Sequence, residues 1–154
     1  AVRFWKEGAE MKILVDADAC PVKEIILREA KARNIPVVMV IDTSHELHDG
    51  YSQVVTVDKG PDSADFKLIS LLEKDDVVVT QDFGVAAMAI GKGAAALNQN
   101  GLIYTNENMD RLLLERHLNR KVRRGGGRVS GPRKRTAQDD EAFEAALKAV
   151  LSKG

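Results

Sequence analysis

Cysteine is almost absent from the 154-residue chain. Cys20 stands alone, which excludes an intramolecular disulfide and any cysteine-rich zinc site. Histidine is scarce at three residues, and aromatics make up only 5%. No apolar run approaches the roughly 20 residues that span a bilayer, and no apolar stretch leads to a small-residue cleavage site. Net charge is missing too, since 23 Lys/Arg balance 23 Asp/Glu. These absences predict a cytoplasmic protein with no membrane partner. An apolar content of 44% at this length supports one domain with a real core.

Zero net charge hides an uneven distribution. Ten Lys/Arg and the single acid Glu115 lie between Arg111 and Arg135, so the rest of the chain carries the compensating negative excess. A basic arm beside an acidic body predicts a polyanionic ligand, together with a cation or a solvated acidic face. Residues 1–10 have no strand or helix period and read as an extension or cloning remnant.

Apolar patterning predicts strands at residues 12–15, 36–41, 53–57 and 76–80, and the continuous apolar run at 36–41 suits a strand covered on both faces. Helical spacing follows from Pro21 to Arg33, with Asn34 as a C-cap, from residue 59 to 73, and from 83 to 92. Residues 94–97 and 102–104 read as a hairpin or as a strand with a turn. A fourth helix starts at Asn106 and runs into the basic segment, and residues 138–151 form a terminal amphipathic helix. Strands alternating with helices predict an α/β fold: a three-layer α/β/α arrangement on a mostly parallel central sheet. The expected organisation is an α/β domain at 11–119, a basic Arg/Gly-rich segment at 120–137 and a terminal helix at 138–154 packed on the domain.

The stretch VDADACP, residues 15–21, places Asp16 and Asp18 where the first strand gives way to the first helix. Capping chemistry, a phosphate-accepting aspartate and a metal site all account for it. Asp82 occupies the corresponding place after the 76–80 strand, while Asp62 and Asp65, three apart, share one face at a helix start. Taken singly, each has a structural reading: Asp18 near a helix dipole, Asp62 as N-cap with Asp65 completing the cap, and Asp82 as N-cap. If the strands are neighbours, the carboxylates converge. Two such charges 4 Å apart repel by about 4 kcal/mol at an effective dielectric of 20, so the cluster calls for a cation or a proton. Oxygen donors without His or Cys point to Mg²⁺ or Mn²⁺.

Other polar residues read more plainly. Cys20 beside Pro21 is a packing residue, His45 and His48 are loop histidines, and His117 belongs to the basic face. Thr80 and Gln81 either orient a bound water or phosphate or simply end a strand. Lys59 either touches a phosphate or is solvated. Arg116, Arg120, Lys121, Arg123, Arg124, Arg128, Arg133, Lys134 and Arg135 form a run suited to a nucleic-acid backbone, RNA above all, with a solvated tail as the alternative. Aromatic stacking platforms are absent from that segment.

VDADACP, GPDSADFKLI, VVVTQDFGVAAMA, the GLIYT stretch and the Arg/Gly-Pro tail together resemble the YaiI/YqxD family of bacterial proteins, over residues 11–151. That family is grouped with PIN-like domains, whose nuclease members hold divalent metal on acidic residues at the sheet edge. The KGPDSA stretch at Lys59 is also similar to the helix start of the related NYN nucleases. The resemblance implies metal ligation by Asp16, by Asp65 or Asp62, and by Asp82, with Asp18 as an additional acid. It departs from the PIN pattern in having no further acid between Gly84 and Ile90. The expected function is a divalent-metal-dependent nuclease, RNA favoured, with Asp16, Asp18, Asp65 and Asp82 as the catalytic carboxylates. Two alternatives stand beside it: an RNA- or ribosome-binding module without turnover, and a haloacid-dehalogenase-like phosphatase using Asp16 as nucleophile and Asp18 as acid/base.

Overall fold

The computed structural model describes residues 11–18, 20–42, 47–60, 62–126 and 134–152. In chain order the elements are β1 (Ile13–Asp16), α1 (Lys23–Arg33), β2 (Val37–Asp42), β3 (Gln53–Val57), α2 (Ser63–Leu71), β4 (Val77–Val79), α3 (Phe83–Gly91), β5 (Ala95–Leu97), α4 (Asn106–Arg124) and α5 (Ala137–Leu151). The five strands form one sheet in the order β3-β2-β1-β4-β5, and every pairing is parallel. The central strands β1, β2 and β4 are apolar up to the terminal Asp16 and Asp42, as suits strands that helices cover on both faces.

Strand alternation sorts the core into two layers. Ile13, Val15, Met39 and Val79 pack with Ile26 of α1 and with Phe143 and Leu147 of α5. Leu14, Val38, Val40 and Val78 pack with Leu68 of α2, Val85 and Ala89 of α3 and Met109 of α4. The sheet is therefore sandwiched between an α1/α5 layer and an α2/α3/α4 layer. Gly101 lets α5 approach closely. Its φ is +88°, and a Cβ there would lie 2.6 Å from the carbonyl oxygen of Ala142.

Several details sharpen the sequence expectation. Of the two readings of 94–104, the strand with a turn holds: Ala95–Leu97 is β5, and residues 102–104 add one antiparallel bridge, Leu97 to Ile103. Thr105 caps α4 in a reciprocal box with Asn108. As expected, the helix runs into the basic segment; it reaches Arg124, and Gly125 ends it. Past Met109 and Leu112, α4 is exposed and turns Leu113, Leu114, Leu118 and Val122 to solvent. At the amino edge of the sheet, Lys12 is 2% and Asp76 3% exposed. Lys12 Nζ donates to Asp76 Oδ2 at 2.6 Å and to Glu73 Oε1 at 2.9 Å.

Candidate functional site

An all-parallel sheet brings every strand's carboxyl end to one edge. In the order β3-β2-β1-β4-β5 the winding reverses between β1 and β4, so the loops leaving these strands part and open a crevice. Asp16 ends β1, and Thr80, Gln81 and Asp82 follow β4. Between them lies a narrow pocket of about 40 Å³, lined by Asp16, Asp18, Cys20, Thr80, Gln81 and Gln99 among others.

Asp16 lies two residues beyond Leu14, which belongs to the α2/α3 layer, and so shares that side of the sheet. Thr80 is 3% exposed; its hydroxyl donates to Asp16 Oδ2 at 3.4 Å and accepts the amide of Asp82 at 3.0 Å. One buried hydroxyl thus links the ends of two neighbouring strands. Asp82 caps α3, its Oδ1 accepting the Val85 amide at 3.0 Å. Gly84 leaves room for that carboxylate, since a Cβ there would sit 3.0 Å from Asp82 Oδ1.

Asp65, in the first turn of α2, completes the group. Burial pushes its carboxyl up to about 6, helped by the charges of Asp82 and Asp16, a hydrogen bond shared with Asp82 and the charge of Asp62. Asp16 is also raised, by burial first; the Thr80 hydrogen bond opposes this, and the charges of Asp18 and Asp82 add to it. Asp16, Asp65 and Asp82 are therefore a mutually repelling set in one crevice, with Asp18 beside them. Asp18 also has a structural task, as its Oδ2 accepts the Asp42 amide at 3.1 Å and ties the β1–α1 turn to the end of β2.

The expected Asp62 side-chain cap does not form. Asp62 precedes α2 with φ +68° and makes no capping bond. Capping residues normally enter a helix from the β region, and a left-handed residue loses that geometry. Asp62 is also exposed, so of the two α2 carboxylates Asp65 is the one joined to Asp82 and Asp16. The donor set is all oxygen, which suits a hard divalent cation. Among the described residues no three His, Cys, Asp or Glu side chains stand close enough to enclose an ion. Holding one would require Asp16, Asp65 and Asp82 to close in by side-chain rotation.

Cys20 lines the crevice, but burial pushes its thiol up, away from the reactive thiolate form. His48, Lys59 and His117 are exposed, and Gln81 hydrogen-bonds Gln99 at the rim. His45, Arg128 and Arg133 lie outside the described residues. Arg116, Arg120, Lys121, Arg123 and Arg124 stand exposed along α4, and Lys134 is exposed before α5. Arg135 departs from the phosphate-binding expectation. It pairs with Asp140 at 2.8 Å and donates to Asn100 Oδ1 at 2.8 Å and the Gln99 carbonyl at 2.9 Å. Its donors are spent fastening the 98–101 turn to α5.

Sequence reasoning passed over Phe83 and Tyr104. Their rings meet edge-on at 6.0 Å, and the Arg116 guanidinium lies over the Phe83 ring at 5.5 Å. The Tyr104 hydroxyl donates to the Thr80 carbonyl at 3.3 Å. Phe83 follows Asp82 directly, and in a chain so poor in aromatics that adjacency was the available signal.

The family described as "Uncharacterized BCR, YaiI/YqxD family" matches residues 14–153. The chain belongs to this family. A UPF0178 protein of Ruminiclostridium cellulolyticum is 66% identical over 137 residues, covering 89% of this chain and 90% of that protein. A second, from Clostridium acetobutylicum, is 52% identical over 146 residues, covering 94% and 99%. A solved structure titled Rae1 (YacP) from Bacillus subtilis (W164L mutant) aligns with a TM-score of 0.43 at 16% identity, covering 94% of this chain and 99% of that one. Membership of the YaiI/YqxD family leaves the chemistry to be argued from the crevice itself.

The raised Asp65 carboxyl makes a direct prediction. Its usual value is 3.8 and its folded value about 6, so between these the folded state binds more protons than the unfolded one. Stability must then fall as pH rises through that window and level off above it. In chelator, Asp65→Asn is expected to melt higher than the parent at pH 7, with the difference shrinking as pH falls from 6 to 4. Melts followed by circular dichroism check this, and a difference independent of pH would count against the cluster.

Proposed function

We propose that this member of the YaiI/YqxD family is a divalent-metal-dependent nuclease acting on RNA. The observation that carries the reading is the convergence of Asp16, Asp65 and Asp82 on the β1/β4 crevice, with Asp65 pushed up to about 6 by burial and by its neighbours' charge. Repulsion of this kind is relieved by a bound cation. Asp16, Asp65 and Asp82 would hold Mg²⁺ or Mn²⁺, with Asp18 at the margin. Such an ion supplies positive charge to a phosphodiester and lowers the pKa of bound water.

The chain's own groups do the remaining work. Thr80 fixes Asp16 relative to Asp82 through one hydroxyl, so the two strand ends present their carboxylates together. The arginines of α4 supply the countercharge a phosphate backbone needs, and the Arg/Gly composition around 120–135 supports RNA over a small phosphoester. Asp18 is tied to the Asp42 amide, which favours the nuclease over a phosphatase that uses Asp18 as acid/base.

The test is cleavage of a labelled RNA by the purified chain with Mn²⁺, with Mg²⁺ and with chelator. Metal-dependent cleavage is expected. Tight RNA binding that survives chelation, without cleavage at any metal concentration, would replace this reading with that of a binding module.

A further inference from the structure

The face of α4 that packs on the core changes character part-way along. Met109 and Leu112 pack into the α2/α3/α4 layer. Residues 116, 120 and 123 continue the same face at helical spacing, and all three are arginine. The stripe that is apolar over the core thus becomes cationic where the helix overhangs the head of α3. There it walls a groove of about 520 Å³, lined by Phe83, Arg116, Asn119, Arg120 and Arg123, with Glu115 its one acid. The groove starts at Phe83, the residue after Asp82, so it opens directly beside the acidic crevice.

Its base is built for stacking. Tyr104 holds the Phe83 ring edge-on, and the Arg116 guanidinium lies over that ring at 5.5 Å. Aromatic rings and guanidinium planes are the surfaces on which unpaired bases stack. Beyond them, Arg120 and Arg123 extend the positive charge along about 10 Å of helix, at 1.5 Å per residue. A pocket of this volume takes one or two nucleotides, whereas duplex RNA is gripped across two successive minor grooves.

We propose that this groove is a nucleotide subsite. A base of an unpaired strand stacks on the Phe83–Arg116 pair next to the acidic crevice, and Arg120 and Arg123 hold the phosphates that follow. The inference rests on the crevice being the place where that strand is cut, and it is tested by binding alone. Fluorescence anisotropy in chelator would compare a labelled single-stranded RNA, the matched duplex and inorganic polyphosphate.

The single strand is expected to bind about tenfold or more tighter than the duplex, in line with the stacking of a base. Arg116→Ala should weaken RNA binding about tenfold, and Arg120→Ala and Arg123→Ala should each reduce the salt slope by about one. Phe83→Leu should weaken RNA but leave polyphosphate unchanged, because only a base stacks. Since Phe83 packs on Tyr104, its melt is recorded alongside; the exposed Arg116 provides the variant that does not depend on packing. Equal affinity for duplex, an Arg116→Ala variant that binds as the parent does, or polyglutamate competing as well as RNA would each overturn the proposal. Strand binding through these residues without cleavage would sink the nuclease and keep the subsite. Cleavage indifferent to Arg116 would do the reverse.

Discussion

Asp16→Asn is expected to lower Mn²⁺-supported RNA cleavage by at least about a hundredfold while the protein melts at or above the parent temperature. Of the crevice carboxylates, Asp16 gives the clearest experiment. Asp82 caps α3, so its removal costs about 1 kcal/mol of helix stability besides any chemistry. Asp18 holds the Asp42 amide at the end of β2, so its loss disturbs the sheet edge. Asp16 accepts a hydrogen bond from Thr80, which an asparagine oxygen also accepts, and its charge repels Asp65. Neutralising it therefore relieves repulsion at neutral pH while removing a ligand. A gel assay of cleavage and a thermal melt on one preparation check both halves. Equal cleavage by variant and parent would mean that the activity belongs to a contaminant.

The second large effect lies at the opposite edge of the sheet and concerns stability. Lys12→Met is expected to cost about 3–5 kcal/mol, because it strands the buried Asp76 carboxylate without its cation. At about 2–4 °C per kcal/mol for a chain of this size, the midpoint should drop by about 10 °C. Asp76 Oδ2 takes the Lys12 ammonium at 2.6 Å and the Glu73 amide at 2.8 Å, and Oδ1 takes the Lys12 amide at 3.1 Å. Lys12→Met with Asp76→Asn should recover most of the loss, since the uncharged side chain keeps an oxygen for a backbone amide and leaves no buried charge. Urea unfolding of the single and double variants measures this. A single variant as stable as the parent would show that the pair is not the anchor of β1 against β4.

The sequence by itself determined the alternation of strands and helices, and with it the three-layer α/β fold. Apolar runs such as residues 36–41 have only one good environment, a strand covered on both sides, and Asn34 at φ +59° ends α1 as its residue type suggests. It also determined that Asp16 and Asp82 stand at strand ends, because Asp16 closes the apolar run Ile13-Leu14-Val15 and Asp82 comes three residues after Val77-Val78-Val79. What it left open was strand order, and the site depends on that order. Only the placement of β1 beside β4 puts Asp16 and Asp82 at one crevice, and only the packing of α2 over that edge brings Asp65 to them while leaving Asp62 outside. The partners of Lys12 and Arg135 were equally illegible. Asp76 lies 64 residues from Lys12 and Asn100 lies 35 from Arg135, and local patterning carries no information about contacts at that separation. The basic arm divided for the same reason. Helical spacing gave Arg116, Arg120 and Arg123 a common face, but the tertiary structure alone set that face over Phe83, since side chains this distant in sequence meet only when the core has fixed where each helix lies.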